Sequence, residues 1–341
     1  MGLPLRFGVA AGAVLAARAA RTRRALPTLA GEVALVTGGS RGLGLLLARR
    51  LAAEGCAVAI CARDPRQLDH ARRELERFGT EVLAVRADVG DPAQVEKLVE
   101  EVTARLDQVD ILVNNAGIIE VGPIASMRRE DFEQAMDDIF WAALNPTLRL
   151  LPQMVSRGHG RIVNITSIGG KVSVPHLLPY SAAKFATVGV SEGLRAELAG
   201  TGVQVTTVVP FIMRTGSHLN ALFKGRREAE YRRFALAATV PLASVDADRA
   251  AGRIVTAIRR GEAETFVGVQ ARVLTAVNGV APATVSRALG IMNRHLMPEP
   301  DGEDGVLERG LAIEQRRPSR LLHAATTMGR AAARRNNEYP R

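Results

Sequence analysis

Residues 32–44 read E-V-A-L-V-T-G-G-S-R-G-L-G and combine three local signals in one short run. Val33 to Val36 is apolar and predicts a buried β-strand, and Leu43 to Ala53 has the composition of a helix that ends at Gly55. The glycines between them let the backbone approach a pyrophosphate, and the positive end of the helix favours its negative charge. A strand, a glycine-rich turn and a helix in this order indicate a dinucleotide-binding α/β fold.

The rest of the chain continues the alternation of strands and helices. Further strands are predicted at residues 57–61, 82–87, 111–113, 161–165, 203–209 and 263–269. Helical segments separate them, as in parallel βαβ units, and ligands of such sheets bind at the C-terminal ends of the strands. We therefore predict one doubly wound α/β domain over residues 30–270, a Rossmann fold whose seven parallel strands lie between two helix layers in a three-layer αβα arrangement.

A second constellation lies in residues 161–184, which read R-I-V-N-I-T-S-I-G-G-K-V-S-V-P-H-L-L-P-Y-S-A-A-K. A short strand delivers Ser167 at its C-terminal end, and a helix opens near Tyr180. One helical turn separates Tyr180 from Lys184, so both side chains project from the same helix face. A nearby ammonium ion stabilises phenolate and lowers the tyrosine pKa, which makes the phenol a usable general acid. Alone, this pair is a weak signal, because a solvated helix surface can carry both residues.

Together these stretches resemble the short-chain dehydrogenase/reductase family. The family's T-G-x-x-x-G-x-G motif matches residues 37–44, and its catalytic serine lies thirteen residues before the tyrosine, as Ser167 lies before Tyr180. The resemblance covers roughly residues 30–270 and implies hydride transfer between nicotinamide C4 and a carbonyl or alcohol carbon, the chemistry of EC 1.1.1. It implies that Tyr180 protonates the carbonyl oxygen and that Ser167 hydrogen-bonds it. Lys184 would bind the nicotinamide ribose and lower the tyrosine pKa.

The resemblance also implies a set of cofactor-binding residues. They are Thr37, Gly38, Ser40, Arg41, Gly42, Leu43, Gly44, Arg63, Asp88, Val89, Asn115, Ala116, Gly117, Tyr180, Lys184, Pro210, Ile212 and Thr215. In NAD-preferring members an acid ends the second strand, and the corresponding position here is Ala62. Arg41 and Arg63 could instead grip a 2′-phosphate, so NADP(H) is expected. Asp64 keeps NAD(H) open, because a shift of one residue would put its carboxylate at that position.

Two positions depart from the family pattern. Ile139 replaces the asparagine that normally helps hold a water leading to the catalytic lysine, and Asn145 lies six residues further along on a different helix face. Phe211 replaces the glycine after Pro210, so φ there has to be negative, and a phenyl ring would crowd the nicotinamide end of the cleft. These departures motivate a second hypothesis, a dinucleotide-binding regulatory or scaffold protein without useful turnover.

In the family, the region that corresponds to residues 215–241 forms a lid over the substrate. Its apolar residues here are Leu219, Leu222, Phe223, Tyr231 and Phe234. The residues expected to line the same pocket are Ile168, His176, Leu177 and Phe211. This composition favours a bulky apolar ketone or alcohol as the small-molecule substrate. The alternative is that the apolar residues of the segment form an ordinary amphipathic-helix core.

Charge is concentrated at the two ends of the 341-residue chain, whose net charge is +10. Residues 1–30 carry five arginines and no acid, and residues 315–341 carry seven arginines against Glu338, so the body between them is close to neutral. This distribution argues against a nucleic-acid-binding domain. Cys and His show no metal-ligand spacing, so no metal site is expected. Cys56 and Cys61 are expected to be buried thiols in a reducing compartment.

The two ends lie outside the resemblance. Residues 1–29 form a basic, apolar extension that is short for a membrane-spanning helix and is expected either to anchor the chain at an anionic membrane surface or to be a disordered leader. Residues 271–297 predict an apolar helical extension that could lie on a membrane, pair subunits or cover the sheet edge. Residues 298–341 predict a poorly ordered basic tail. We expect a cytoplasmic homo-oligomer, as family members often are, and membrane association through the termini is a third hypothesis.

Overall fold

The computed structural model describes residues 27–241, 243–299 and 306–339. The strands in these residues are β1 (Val33–Thr37), β2 (Ala57–Ala62), β3 (Val82–Arg86), β4 (Ile111–Asn114), β5 (Glu120–Val121), β6 (Gly160–Ile165), β7 (Val203–Pro210), β8 (Met213–Arg214), β9 (Leu222–Phe223), β10 (Val245–Asp246), β11 (Glu264–Val267) and β12 (Glu308–Arg309). Seven of them form one sheet in the order β11-β7-β6-β4-β1-β2-β3, and every neighbouring pair is parallel.

Strand β1 lies beside the central strand β4 and fixes the position of the ligand crevice. Val33 aligns with Ala57 of β2 on one side, and Ala34 aligns with Ile111 of β4 on the other. The chain therefore winds away from β1 in both directions, which leaves a crevice at the C-terminal ends of β1 and β4. The predicted doubly wound parallel sheet of seven strands is confirmed.

Helices cover both faces of the sheet. In the described residues they are α1 (Gly42–Ala53), α2 (Pro65–Leu75), α3 (Pro92–Leu106), α4 (Arg129–Ala135), α5 (Ala142–Arg157), α6 (Leu178–Glu197), α7 (Arg227–Ala237), α8 (Ala247–Arg260), α9 (Val269–Val280), α10 (Pro282–Leu296), α11 (Gly310–Arg316), α12 (Arg320–Ala325) and α13 (Thr327–Arg335). A π-helical segment, Met136–Trp141, joins α4 to α5. Asp64, Asp91 and Asp246 begin α2, α3 and α8 by accepting hydrogen bonds from backbone N–H groups.

Two apolar layers hold the sandwich together, because successive side chains of a strand point to opposite faces. Ala34 and Val36 of β1 pack with α1, α2 and α8, whereas Leu35 packs with α3 and α5 on the other face. Each layer consists almost wholly of aliphatic side chains. This burial is the main stabilising contribution of the domain.

The C-terminal segment differs from the sequence expectation of a poorly ordered tail. Residues 306–339 fold back: β12 pairs with β9, which in turn pairs with β5, and three helices follow. Ile313, Ala332 and Ala333 are buried, so these short helices have an apolar side that the basic composition concealed. The segment also forms ion pairs, since Arg316 lies 3.0 Å from Glu308. The structure thus places strand pairing and short helices in residues 306–339, where composition alone predicted a poorly ordered tail.

Helices α9 and α10 follow each other and are in contact in the segment expected to be an apolar helical extension. Ala271 and Val285 pack with Ile168 and Phe211 beside the strand ends. The opposite side of α9, which includes Val273, stays exposed. Within the described residues, no helix is both long and apolar enough to cross a membrane. Residues 1–26, which carry most of the expected anchor, lie outside the described residues.

Candidate active site

A cavity of about 400 Å³ opens at the C-terminal ends of the parallel strands. All of the predicted cofactor-binding residues except Thr37 line it, and so do Ser167 and three of the four expected substrate residues, namely Ile168, Leu177 and Phe211. The fold therefore brings together residues that lie more than 150 positions apart in the sequence.

The turn after β1 borders the cavity with bare backbone. Gly38 and Gly42 have φ values of +62° and +56°, which side chains other than glycine rarely adopt. A Cβ atom on Gly44 would lie 2.2 Å from the Gly38 carbonyl oxygen, so the first turn of α1 can pack against the loop only without a side chain. The bare backbone at the start of α1 is thus an environment that favours negative charge.

Thr37 supports this turn from below. Its buried hydroxyl accepts hydrogen bonds from the backbone N–H groups of Asn115 (3.0 Å) and Ala116 (3.1 Å). The Asn115 side-chain amide donates to the Thr37 carbonyl oxygen at 3.0 Å. These bonds tie the glycine turn to the loop after β4. Thr37 does not itself line the cavity, so its side chain supports the turn, and its role as a cofactor contact stays a prediction.

The far end of the cleft holds the residues on which cofactor preference depends. Asp64 is committed to helix capping, where its carboxylate accepts from the Arg66 N–H at 2.9 Å. Arg63 lines the cavity, but it already has acidic partners: its Nη1 lies 2.8 Å from Asp138 and 3.5 Å from Asp88. The position after β2 therefore presents a guanidinium that is partly neutralised and no free carboxylate.

Glu338 also lines the cavity, and the sequence analysis did not assign it to the site. Its buried carboxylate lies 2.7 Å from the Arg41 guanidinium. The signal that could have identified it is its isolation, because it is the single acid among the seven arginines of residues 315–341.

Ser167, Tyr180 and Lys184 converge on the opposite end of the cavity. Ser167 follows β6 in extended conformation, and its hydroxyl accepts from the Gly169 N–H at 3.0 Å. A Cβ atom on Gly169 would lie 3.2 Å from the Tyr180 ring and 3.4 Å from the Ser167 hydroxyl, so this glycine lets the two groups approach each other. The Lys184 ammonium lies 5.7 Å from the Tyr180 ring centroid and donates to the Ile165 carbonyl at 2.8 Å.

Burial shifts the pKa values of both Tyr180 and Lys184. It raises the pKa of the Tyr180 phenol, and a hydrogen bond with Ser167 offsets the rise only in part. Burial also lowers the pKa of Lys184 to about 8. The expectation that the tyrosine pKa is lowered is therefore wrong, because desolvation of the phenolate dominates. The Lys184 ammonium is directed to the Ile165 carbonyl.

Ile139 occupies the family's asparagine position and is fully buried in the π-helical segment. It packs against Ala183 and Tyr180, beside the catalytic helix. Asn145 does not replace it, because its side chain donates to the carbonyl oxygens of Val89 (3.3 Å) and Gly90 (2.9 Å). Asn145 instead holds the loop after β3 at the adenosine end.

Phe211 does not block the cavity. Its φ is not among the positive values, as the sequence argument required, and its N–H donates to the Val267 carbonyl at 2.9 Å. Its side chain packs against the buried cluster that includes Ile168 and Ala271 of α9, and it lines the cavity as part of an apolar wall. Helix α9 therefore supports the substituted turn from outside.

His176 is the one expected substrate residue that the fold places elsewhere. It is buried, and its Nδ1 lies 2.5 Å from the Glu230 carboxylate, outside the cavity lining. Of the apolar residues in segment 215–241, Phe234 lines the cavity, whereas Phe223 and Tyr231 are buried in a cluster with Val121 and Ile313. The structure pairs His176 with an acidic partner away from the cavity, and its role as a substrate contact stays a prediction.

The donor set fits a nicotinamide dinucleotide. The backbone at Gly42 and the cations of Arg41 and Arg63 suit phosphate groups, and Lys184 is placed for the nicotinamide ribose. Within the described ranges, no cluster of three or more His, Cys, Asp or Glu side chains is placed to hold a metal ion. The arrangement can therefore bind a dinucleotide at one end and polarise a carbonyl group at the other.

Comparisons with known proteins agree with this geometry. The family model for short chain dehydrogenases matches residues 32–222. Ketoacyl reductase HetN from Nostoc sp. (strain PCC 7120) is 29% identical over 300 residues, which cover 86% of this chain and 100% of that protein. The structure of a gluconate 5-dehydrogenase from Burkholderia cenocepacia J2315 with NADP and tartrate has a TM-score of 0.63 and 28% identity, covering 72% of this chain and 96% of that one. The structure of L-sorbose reductase from Gluconobacter frateurii with NADPH and L-sorbose has a TM-score of 0.63 and 27% identity. The match covers 70% of this chain and 95% of that one.

Proposed function

We propose that this chain, which belongs to the short-chain dehydrogenase/reductase family, is an NADP(H)-dependent oxidoreductase that reduces a ketone or aldehyde or oxidises a secondary alcohol. The observation that carries the proposal is the convergence of Ser167, Tyr180 and Lys184 on the cavity that the glycine turn borders. A protein that only bound a dinucleotide would need no hydroxyl, phenol and ammonium group at the opposite end. The dinucleotide-binding scaffold remains the alternative that the experiment below tests.

The preference for NADP(H) rests on charge at the end of β2. Ala62 supplies no carboxylate for the ribose hydroxyls, Asp64 is engaged as a helix cap, and Arg41 and Arg63 both border the cavity. A planar guanidinium suits a phosphate group. The related gluconate 5-dehydrogenase and L-sorbose reductase structures contain NADP and NADPH, which supports the same choice.

In the proposed mechanism, a bound nicotinamide cofactor supplies the hydride, and the side chains handle the proton. Because burial raises its pKa, Tyr180 carries its proton at neutral pH and can donate it to the carbonyl oxygen during reduction. Ser167 donates a hydrogen bond to the same oxygen and stabilises the charge that develops there. Lys184 orients the nicotinamide ribose and stabilises the phenolate once the proton has left.

The substrate is proposed to be bulky and apolar. Ile168, Leu177, Phe211 and Phe234 line the same cavity as Tyr180. These side chains offer a large apolar area and no charged group, so they favour a lipid-like carbonyl compound over a small polar one. Segment 215–241 contributes Phe234 to this lining, and we propose that the segment acts as the substrate lid.

The test is a panel of hydrophobic ketones and alcohols with NADPH and NADP⁺, run beside Tyr180→Phe. The wild-type protein is expected to turn over at least one member, and the variant to lose about a hundredfold or more of that rate, since a catalytic donor is removed. Binding of NADPH by calorimetry should be similar in the two proteins, which separates chemistry from folding. Tight NADPH binding without turnover in either protein would favour the scaffold alternative.

We also propose that the protein forms homo-oligomers in the cytoplasm and touches a membrane surface through its termini. Residues 265–298, which include α9 and α10, contain three arginines and no acid, and Val269, Val273 and Val277 are exposed along α9. An apolar face with cations nearby suits an anionic lipid surface. Cell fractionation with and without residues 1–29 tests the N-terminal contribution, and unchanged partitioning would remove it. Light scattering after gel filtration tests the oligomer.

A further inference from the structure

The end of the described chain lies across the glycine turn. The Asn336 carbonyl oxygen accepts from the Gly42 N–H at 2.8 Å, and the Asn337 side chain donates to the Ser40 carbonyl at 2.9 Å. Glu338 follows, and its carboxylate enters the cavity itself. The segment therefore contacts the part of the cleft that the proposed function assigns to the cofactor phosphates.

The Glu338 carboxylate occupies an anion-binding position beside the glycine turn. One carboxylate oxygen lies 2.7 Å from Arg41 Nη1 and 2.7 Å from the Asn220 amide nitrogen. A Cβ atom on Gly42 would lie 2.5 Å from the other oxygen, so the carboxylate sits directly above the turn. The side chain is 4% exposed, and burial raises the pKa of Glu338 while Arg41 and Asn220 oppose the rise.

The two donors in these contacts are the ones that a phosphate group requires. A backbone N–H at the start of a helix and an adjacent guanidinium attract negative charge. In this structure Asn336 accepts from the first and Glu338 from the second. A phosphate brought to the same place would meet a carboxylate of like charge and donors that are already bonded.

We propose that Glu338 is a specificity-determining residue that competes with the phosphate groups of the dinucleotide for Arg41. This inference rests on the proposed function, since it presumes that the cleft binds a dinucleotide. When the cofactor binds, the carboxylate leaves Arg41, and the dinucleotide phosphate takes its place. The phosphate concerned is either the pyrophosphate, common to both dinucleotides, or the 2′-phosphate, which NADPH alone carries.

Residues 336–338 follow helices that are anchored by contacts of their own. Upstream, the Glu314 carboxylate accepts hydrogen bonds from Tyr231 and Arg330, and Ala332 and Ala333 are buried. Beyond these contacts the chain has a φ of +55° at Asn337, a left-handed conformation that asparagine tolerates better than most residues. A change of backbone conformation at that position would withdraw Glu338 without unfolding α13.

The test measures dissociation constants for NADPH and NADH by calorimetry in wild type, Glu338→Gln and a variant ending at Arg335. Glu338→Gln keeps the size of the side chain and removes its charge, so it is expected to lower the dissociation constant by about tenfold, the scale of one charge-assisted hydrogen bond. The shortened variant should show at least the same gain. Glu197→Gln, which removes an exposed acid on α6, is the matched control and should leave both constants unchanged.

A gain for both dinucleotides would identify the pyrophosphate as the competing group, and a gain for NADPH alone would identify the 2′-phosphate. Hydrogen exchange gives a second readout, since NADPH should speed exchange of the amides of residues 336–339 in wild type. Dinucleotide binding that is unchanged or weaker in Glu338→Gln and in the shortened variant would overturn the inference and leave the proposed function standing. Absence of binding even in the shortened variant would overturn both.

Discussion

The central sheet and the substrate lobe are stabilised by different kinds of interaction. We define the substrate lobe as β5, residues 215–241 and residues 306–335. The sheet is packed between two large aliphatic clusters, and the polar groups buried beside its strands include the neutral amides of Asn114 and Asn164. In the lobe the buried polar groups are mainly charged: Lys224 pairs with Asp131 and lies 3.8 Å from Glu120, and Glu314 accepts from Tyr231 and Arg330. Apolar contacts are non-directional, so they tolerate small changes in side-chain position, whereas removal of either partner of a buried ion pair is strongly destabilising. The lobe should therefore be the more sensitive of the two to removal of a single group.

Lys224→Met is expected to have the largest effect on stability. The Lys224 side chain is 3% exposed, and its loss would leave Asp131 and Glu120 buried without their cation. Breaking a buried pair from one side typically costs about 3–5 kcal/mol of unfolding free energy. Chemical denaturation followed by circular dichroism measures the change.

Lys97→Met is the matched control for that variant. Lys97 is exposed on α3, so the same substitution should change the unfolding free energy by only about 0.5 kcal/mol or less. Equal effects of the two substitutions would show that the charges in the lobe contribute no more than surface charges do.

Gly44→Ala tests the packing of the central sheet and α1, and it is expected to change the unfolding free energy less than Lys224→Met does. The new methyl group would lie 2.2 Å from the Gly38 carbonyl oxygen, so α1 and the turn have to separate. Overpacking of this kind costs about 1–3 kcal/mol, and dinucleotide affinity should fall with it because the turn is displaced. Calorimetry with NADPH and denaturation measure the two quantities.

Gly189→Ala on α6 is the control, because a Cβ atom there meets no neighbouring atom within 4 Å. It should leave affinity unchanged and add up to about 1 kcal/mol of stability, since alanine favours helix more than glycine does. A Gly44→Ala protein that bound NADPH as wild type does would contradict the role assigned to the turn.

The difference between the sheet and the lobe also explains which features could be predicted from the sequence. The strands of the sheet and the glycine turn follow from local composition, since apolar runs and glycines act on their immediate neighbours. Ser167, Tyr180 and Lys184 could be placed because one strand and one helix carry them. The positions of His176 and Glu338 could not, because their partners, Glu230 and Arg41, lie 54 and 297 residues away. Pairings over such distances leave no periodic pattern.

The smallest expected effect is a dependence of lobe stability on pH through Glu120. Burial raises the pKa of Glu120 to about 7 from its ordinary value of 4.5, the charge of Asp131 adds to the rise, and Lys224 opposes it. Between these values the folded protein binds more protons than the unfolded chain, so the contribution of Glu120 is fully present below about pH 4.5 and is lost as the pH rises through 7.

Other buried groups titrate over the same pH range, so the effect of Glu120 has to be measured as a difference between two proteins. Burial lowers the pKa of His218 to about 4, and this makes stability rise with pH where Glu120 makes it fall. Glu120→Gln retains His218, so subtracting its unfolding free energy from that of wild type at each pH isolates the carboxyl group. We expect wild type to lose stability relative to Glu120→Gln between pH 4.5 and 7. A difference that stays constant over this range would mean that Lys224 keeps Glu120 ionised, and the lobe would then hold a fully charged cluster.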